Sequence, residues 1–214
     1  MDCDNEYGTS TKIRQRNFSE NSCCNENCNT PPPVTLECGF NPQDAIFEIR
    51  NGYVKEHQKF VLDRVRVDTC GFCRPIVKIE FSSLVCFEVE DETNILNGAN
   101  SQTEEKAQTE MNSPLPIWKQ EVEVELLFKL ERTCKGITET IQTWKFKKEF
   151  EIKGAYKLEI EICEPFTVTF CDKSSSHCCE YRMVVEGKDF EGKVKALSVT
   201  KPDISALATG LCNS

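Results

Sequence analysis

The chain's 214 residues include fourteen cysteines, the side chains here best suited to covalent chemistry. Cys70-Gly71-Phe72-Cys73 has the spacing of a dithiol redox centre. In such a centre a helix N-terminus lowers the pKa of the first thiol. Here Arg74-Pro75 follows and then an alternating run, so a strand is expected where that helix would stand. Cys70 and Cys73 could also pair with His177, Cys178 and Cys179 as zinc ligands, since structural zinc takes four ligands in two close pairs. Adjacent Cys178 and Cys179 cannot easily both ligate one tetrahedral ion, so disulfides are the favoured reading. Cys86, Cys163 and Cys171 fall on the polar phase of their alternating runs, whereas a core cysteine belongs on the apolar phase. A thiol on a wet face can bond to a neighbouring strand, to a terminal arm or to another subunit, and all three stay open.

Other chemistry finds no set of residues. His57 and His177 stand in polar, loop-like surroundings, and the carboxylates follow strand alternation. No Gly-rich loop is placed to cradle a phosphate. The chain is therefore read as non-enzymatic, with no catalytic residue, cofactor or metal assigned. A net charge of −9 argues against nucleic acid and anionic membranes as partners. No apolar run approaches the roughly 18 residues of a membrane helix. The start, MDCDNEYGTS, lacks the basic and then apolar stretches of a secretory signal. Disulfides persist in oxidising compartments, so the cysteine count conflicts with that start. The conflict is lifted if the protein binds metal, is a redox protein, or leaves its cell by lysis.

The elements that must position these cysteines are strands. Val122, Val124, Leu126, Phe128 and Leu130 share one phase, and Glu121, Glu123, Glu125, Lys129 and Glu131 the other. Trp144, Phe146, Phe150 and Ile152 repeat the pattern, interrupted by Lys148. Val61, Val65 and Val67 are expected on one face of another strand. Further runs include Val77–Phe81, Val85–Val89, Leu158–Ile162, Phe166–Phe170 and Tyr181–Val185. Such alternation marks half-buried antiparallel strands. The expected fold is all-β: a jelly-roll-like β-sandwich of about 8–10 antiparallel strands. Residues 1–33 read as a flexible, Cys-rich connector arm, too polar to offset its ordering entropy. Pro31-Pro32-Pro33 ends it as a stiff spacer. The sandwich is expected over 34–209, with a long polar loop insertion at 91–116 that has a helical turn near Thr103–Gln108. Residues 210–214 form a tail.

Several blocks carry a resemblance. Leu36-Glu37-Cys38-Gly39, VDTCGFCRPIVKIEFSS (Val67–Ser83), TWKFKKEF (Thr143–Phe150), FCDKSSSHCCEYRMVVEG (Phe170–Gly187) and ISALAT (Ile204–Thr209) resemble a cysteine-rich domain family of spore-forming clostridia. The arm resembles that of endospore appendage (Ena-type) pilin subunits: Phe18, then Cys23-Cys24, then Cys28. The appendage signature near the C-terminus is matched only loosely, by Cys178-Cys179-Glu180-Tyr181. The resemblance implies jelly rolls that stack by sheet augmentation. It implies an arm disulfide-bonded to neighbouring subunits, synthesis in the mother cell and a place on the spore surface. The ten residue steps from Cys23 to Pro33 span about 30 Å when extended, enough to cross a small domain.

The expectation is thus a structural, self-assembling subunit of a disulfide-cross-linked spore-surface fibre or coat layer. Its partners would be itself and related spore-surface subunits. Cys23 and Cys24 would carry the intermolecular bonds, with Cys28 and Cys3 auxiliary, because adjacent cysteines in an extended chain point to opposite sides. Cys38, Cys70, Cys73, Cys86, Cys163, Cys171, Cys178 and Cys179 are the acceptors or are bonded within the chain. The rival is a monomeric carbohydrate- or protein-binding β-sandwich module with internal disulfides only.

Overall fold

The computed structural model describes residues 34–70, 72, 74–90, 118–154, 159–173 and 178–210. The expected arm with Cys3, Cys23, Cys24 and Cys28 lies outside these residues. So do the 91–116 insertion, Cys73, His177 and Cys212. Eleven strands run through the described residues: β1 (Val34–Cys38), β2 (Ala45–Ile46), β3 (Ile49–Arg50), β4 (Tyr53–Val54), β5 (Lys59–Asp68), β6 (Ile76–Glu90), β7 (Trp118–Cys134), β8 (Ile137–Gly154), β9 (Glu159–Asp172), β10 (Cys178–Glu191) and β11 (Ala196–Thr209). All pairings are antiparallel. The alternating runs named from the sequence fall on β5 to β10, two of them on β6 and two on β9, while β1 and β11 carry none of those runs; β2, β3 and β4 have two residues each, too short to show a period.

The protein is an all-β sandwich. One sheet has the order β1-β11-β6-β9, with β2 on β11 beside β1, and the other has the order β5-β10-β7-β8. Along the eight longer strands the chain changes sheet at every connection except the β7–β8 hairpin. That hairpin turns on Lys135 and Gly136, with φ of 51° and 78°. Two positive φ values give the turn whose twist matches its strands. Inward-facing Val65, Ile79, Phe81, Phe87, Leu126, Phe128, Tyr181, Met183 and Ile204 are buried between the sheets.

Two departures from simple alternation have local causes. Val61 does not share the face of Val65. Asp63 pairs with Met183 but Val61 pairs with Val184, so Leu62 is the extra residue of a β-bulge, which resets the phase. Leu62 and Asp63 are consequently both buried. Lys148 interrupts the apolar phase of β8 because its ammonium meets Glu164, which interrupts the apolar phase of β9. The pair joins the two sheets where they end together.

Candidate functional site

The register places four cysteines in two internal bonds. Cys86 of β6 lies opposite Cys163 of β9, with Cα atoms 4.1 Å apart and a disulfide between them. Cys163 is exposed, so this bond crosses the outer face of the first sheet. Cys134 of β7 lies opposite Cys179 of β10, and these are bonded at a Cα separation of 4.5 Å. Cys179 is buried in the core. The acceptor set expected from sequence narrows accordingly: Cys86, Cys163 and Cys179 are satisfied within the chain. The zinc set is not assembled in the form considered, because Cys179 faces the core and is bonded to Cys134. Among the described residues no group of three or more His, Cys, Asp or Glu is arranged to hold a metal. The CxxC lies between β5 and β6, with a strand rather than a helix beginning at Ile76. Cys70 is exposed and donates its backbone N–H to Asp68 Oδ1 at 2.8 Å. Cys178 lies opposite Asp68, which brings it to the same end of the sandwich.

Cys134 is not among the cysteines singled out from the sequence. The signal was present: Val122, Val124, Leu126, Phe128 and Leu130 continue in steps of two to Arg132 and Cys134. Arg132 is held on this phase by Asp172, 2.6 Å away, and by Glu139. Tyr181 donates its hydroxyl to the same Asp172 oxygen at 2.8 Å. Burial works against the charge on Arg132, but hydrogen bonds to Glu139 and Asp172 outweigh it and raise its pKa. The cluster ties β7 and β10 to β9 across the sandwich.

On the first sheet, Cys38 of β1 and Cys171 of β9 are exposed and stand outside these two bonds. Both strands are edges of the first sheet. The rows across its outer face run Leu36, Leu207, Lys78, Cys171 and, one step along, Cys38, Ser205, Glu80, Thr169. The two thiols therefore lie on the same face at opposite margins. Beside Cys38 the margin is apolar and open: Val34, Leu36 and Ile46 are 63%, 66% and 74% exposed.

The two sides of the sandwich differ. On the β1/β5 side the connection after β1 closes the gap between sheets. Phe40 N–H donates to the Arg64 carbonyl at 3.0 Å and Gln43 N–H to the Leu62 carbonyl at 2.7 Å. Asp63, 1% exposed, anchors the closure by accepting backbone N–H groups from Asn41 (3.1 Å), Arg64 (2.7 Å) and Ile204 (3.2 Å). On the β8/β9 side the strands meet through half-buried aromatic rings, with Trp144 on Phe170 and Phe146 on Phe166, both at 6.4 Å between centroids.

The outer face of the second sheet carries a lattice of ion pairs. Glu131 takes Lys59 at 3.0 Å and Arg182 at 2.7 Å. Its burial opposes the charged form, yet these hydrogen bonds hold its pKa below the usual carboxylate value. Glu186 is held at about 2 by hydrogen bonds from Lys129 and Lys188. A carboxylate bridged to two cations is committed to its own sheet and is less available to a partner.

These features define an antiparallel β-sandwich domain with two internal disulfides among its described residues and exposed thiols on two of its edge strands. Over residues 32–209 the chain matches the family model described as Domain of unknown function (DUF4489), and it belongs to that family. No curated protein matches the chain.

Proposed function

We propose that the chain is a structural subunit that assembles with copies of itself into a disulfide-cross-linked fibre or layer on the spore surface. The observation that carries this reading is the division among the cysteines. Four are satisfied inside the sandwich, while exposed Cys38 and Cys171 stand on opposite edge strands of one sheet. Edge strands present rows of N–H and C=O groups that template pairing with another chain. The strand order, with its change of sheet at almost every connection, supports the jelly-roll reading of the sandwich. In this reading the arm carries Cys3, Cys23, Cys24 and Cys28 to neighbouring subunits and adds cross-links between them. In this reading the protein oxidises once outside the mother cell and has related spore-surface subunits as its other partners. Its role is structural rather than catalytic.

Non-reducing denaturing electrophoresis tests it. Oxidised wild-type chain is expected to stay at the gel top or to form a long ladder. The Cys23→Ser/Cys24→Ser chain should give a shorter ladder while keeping its β circular-dichroism signal. A wild-type chain that runs only as a compact monomer would overturn the proposal and favour a binding module with internal disulfides.

A further inference from the structure

The first sheet carries, at its two margins, complementary halves of one joint. β1 and β11, β11 and β6, and β6 and β9 are each antiparallel, so β1 and β9 run in opposite directions. A second copy displaced sideways along the sheet would set its β1 antiparallel to β9 of the first.

The hydrogen-bonding phase of the two edges also matches. Gly39 N–H donates to the Ile204 carbonyl at 2.7 Å while the Ile204 N–H goes to Asp63, so Gly39 directs its backbone groups toward β11. Cys38 and Ser205 are then a non-bonded pair, and the N–H and C=O of Cys38 point away from β11. On the other margin the 4.1 Å Cα separation of Cys86 and Cys163 is that of a narrow, non-hydrogen-bonded pair. The β6–β9 register runs without a shift from there to Lys78 and Cys171, an even number of residues away, so Cys171 too directs its N–H and C=O outward. Both residues thus present backbone groups to a new strand and side chains to the same outer face. Within one copy they are three strand spacings apart, about 14 Å, roughly twice the reach of a disulfide.

We infer that copies join head to tail through β9 of one and β1 of the next, with Cys171 opposite Cys38 and a disulfide between them. This deepens the self-assembly reading and rests on it. A hydrogen-bonded antiparallel pair has Cα atoms about 5.5 Å apart, inside the range a disulfide accepts. The contact is heterologous rather than two-fold, so each copy offers a free half-joint to the next. The described open edge of β1 is only five residues long, and the covalent bond compensates for so short a pairing.

The oxidation needs an electron acceptor, here a small-molecule disulfide. The Cys171 thiolate attacks one sulfur of that disulfide, forming a mixed disulfide and expelling one small thiolate. The Cys38 thiolate of the next copy then attacks the Cys171 sulfur and expels the second. Two protein thiols and one small disulfide become one protein disulfide and two small thiols.

Equal amounts of ¹⁵N-labelled and unlabelled full-length chain, co-oxidised with oxidised glutathione and digested without reduction, test the joint by mass spectrometry. The expected product is a Cys38–Cys171 linked peptide with one labelled and one unlabelled half. In the Cys38→Ser chain that peptide should vanish, leaving Cys171 glutathionylated. Covalent multimers that lack this peptide, or that contain Cys171–Cys171 links instead, would overturn the joint and leave self-assembly standing. Absence of any multimer from the wild-type chain would overturn both.

Discussion

Replacing Cys134 and Cys179 together by alanine is expected to lower the melting temperature by about 10 °C, from a loss of about 3–4 kcal/mol. The bond closes a loop of 45 residues and so restricts the unfolded chain. It also sits in the core, with Cys179 2% exposed, so its removal leaves unfilled space beside the Arg132–Asp172–Tyr181 cluster. The Cys86–Cys163 bond closes a longer loop, 77 residues, but lies on the outer face. Its removal should cost a similar entropic amount with no packing loss added. Thermal melts of the two double variants under oxidising conditions check this, with reductant abolishing most of the difference from wild type. An unchanged melting temperature for the Cys134→Ala/Cys179→Ala chain would contradict the core placement of that bond.

Asp63→Ala is expected to cost about 3–5 kcal/mol, because three backbone N–H groups lose their acceptor at a buried position. Those groups belong to Asn41, Arg64 and Ile204, so the loss reaches the crossing from β1 to β5 and the middle of β11 together. Gly39→Ala attacks the same point from the other side, since a Cβ there would lie 2.1 Å from Asp63 Oδ2. Both variants should loosen β1 and with it the position of Cys38. Chemical denaturation measures the stability, and amide exchange at residues 34–41 locates the loss. If Asp63→Ala melts like wild type, the closure does not depend on this carboxylate.

Strand alternation was legible because a sandwich buries one phase of each strand and wets the other. The sandwich class and strands β5 to β10 follow from that alone, whereas β1 and β11 were not among the alternating runs. The phase reset at Leu62 was not legible, since a bulge adds one residue without any special residue type. Asp63 left a faint trace as the one charge in the run Phe60-Val61-Leu62-Asp63, but its three acceptor contacts depend on segments distant in the chain. Lys148 and Glu164 each looked like an interruption, and only the meeting of β8 with β9 makes them a pair. The wet-face placement of Cys86, Cys163 and Cys171 was readable from phase. Which of them bond to one another was not, because pairing depends on the register between β6 and β9. That register satisfies Cys86 and Cys163 and leaves Cys171 at an edge.

Electron microscopy of purified full-length chain after oxidation is the decisive test of self-assembly. The expected image shows filaments or sheets that persist in denaturant and dissolve when reductant is added with it. Separate particles of single-chain size, unchanged by oxidation, would contradict self-assembly.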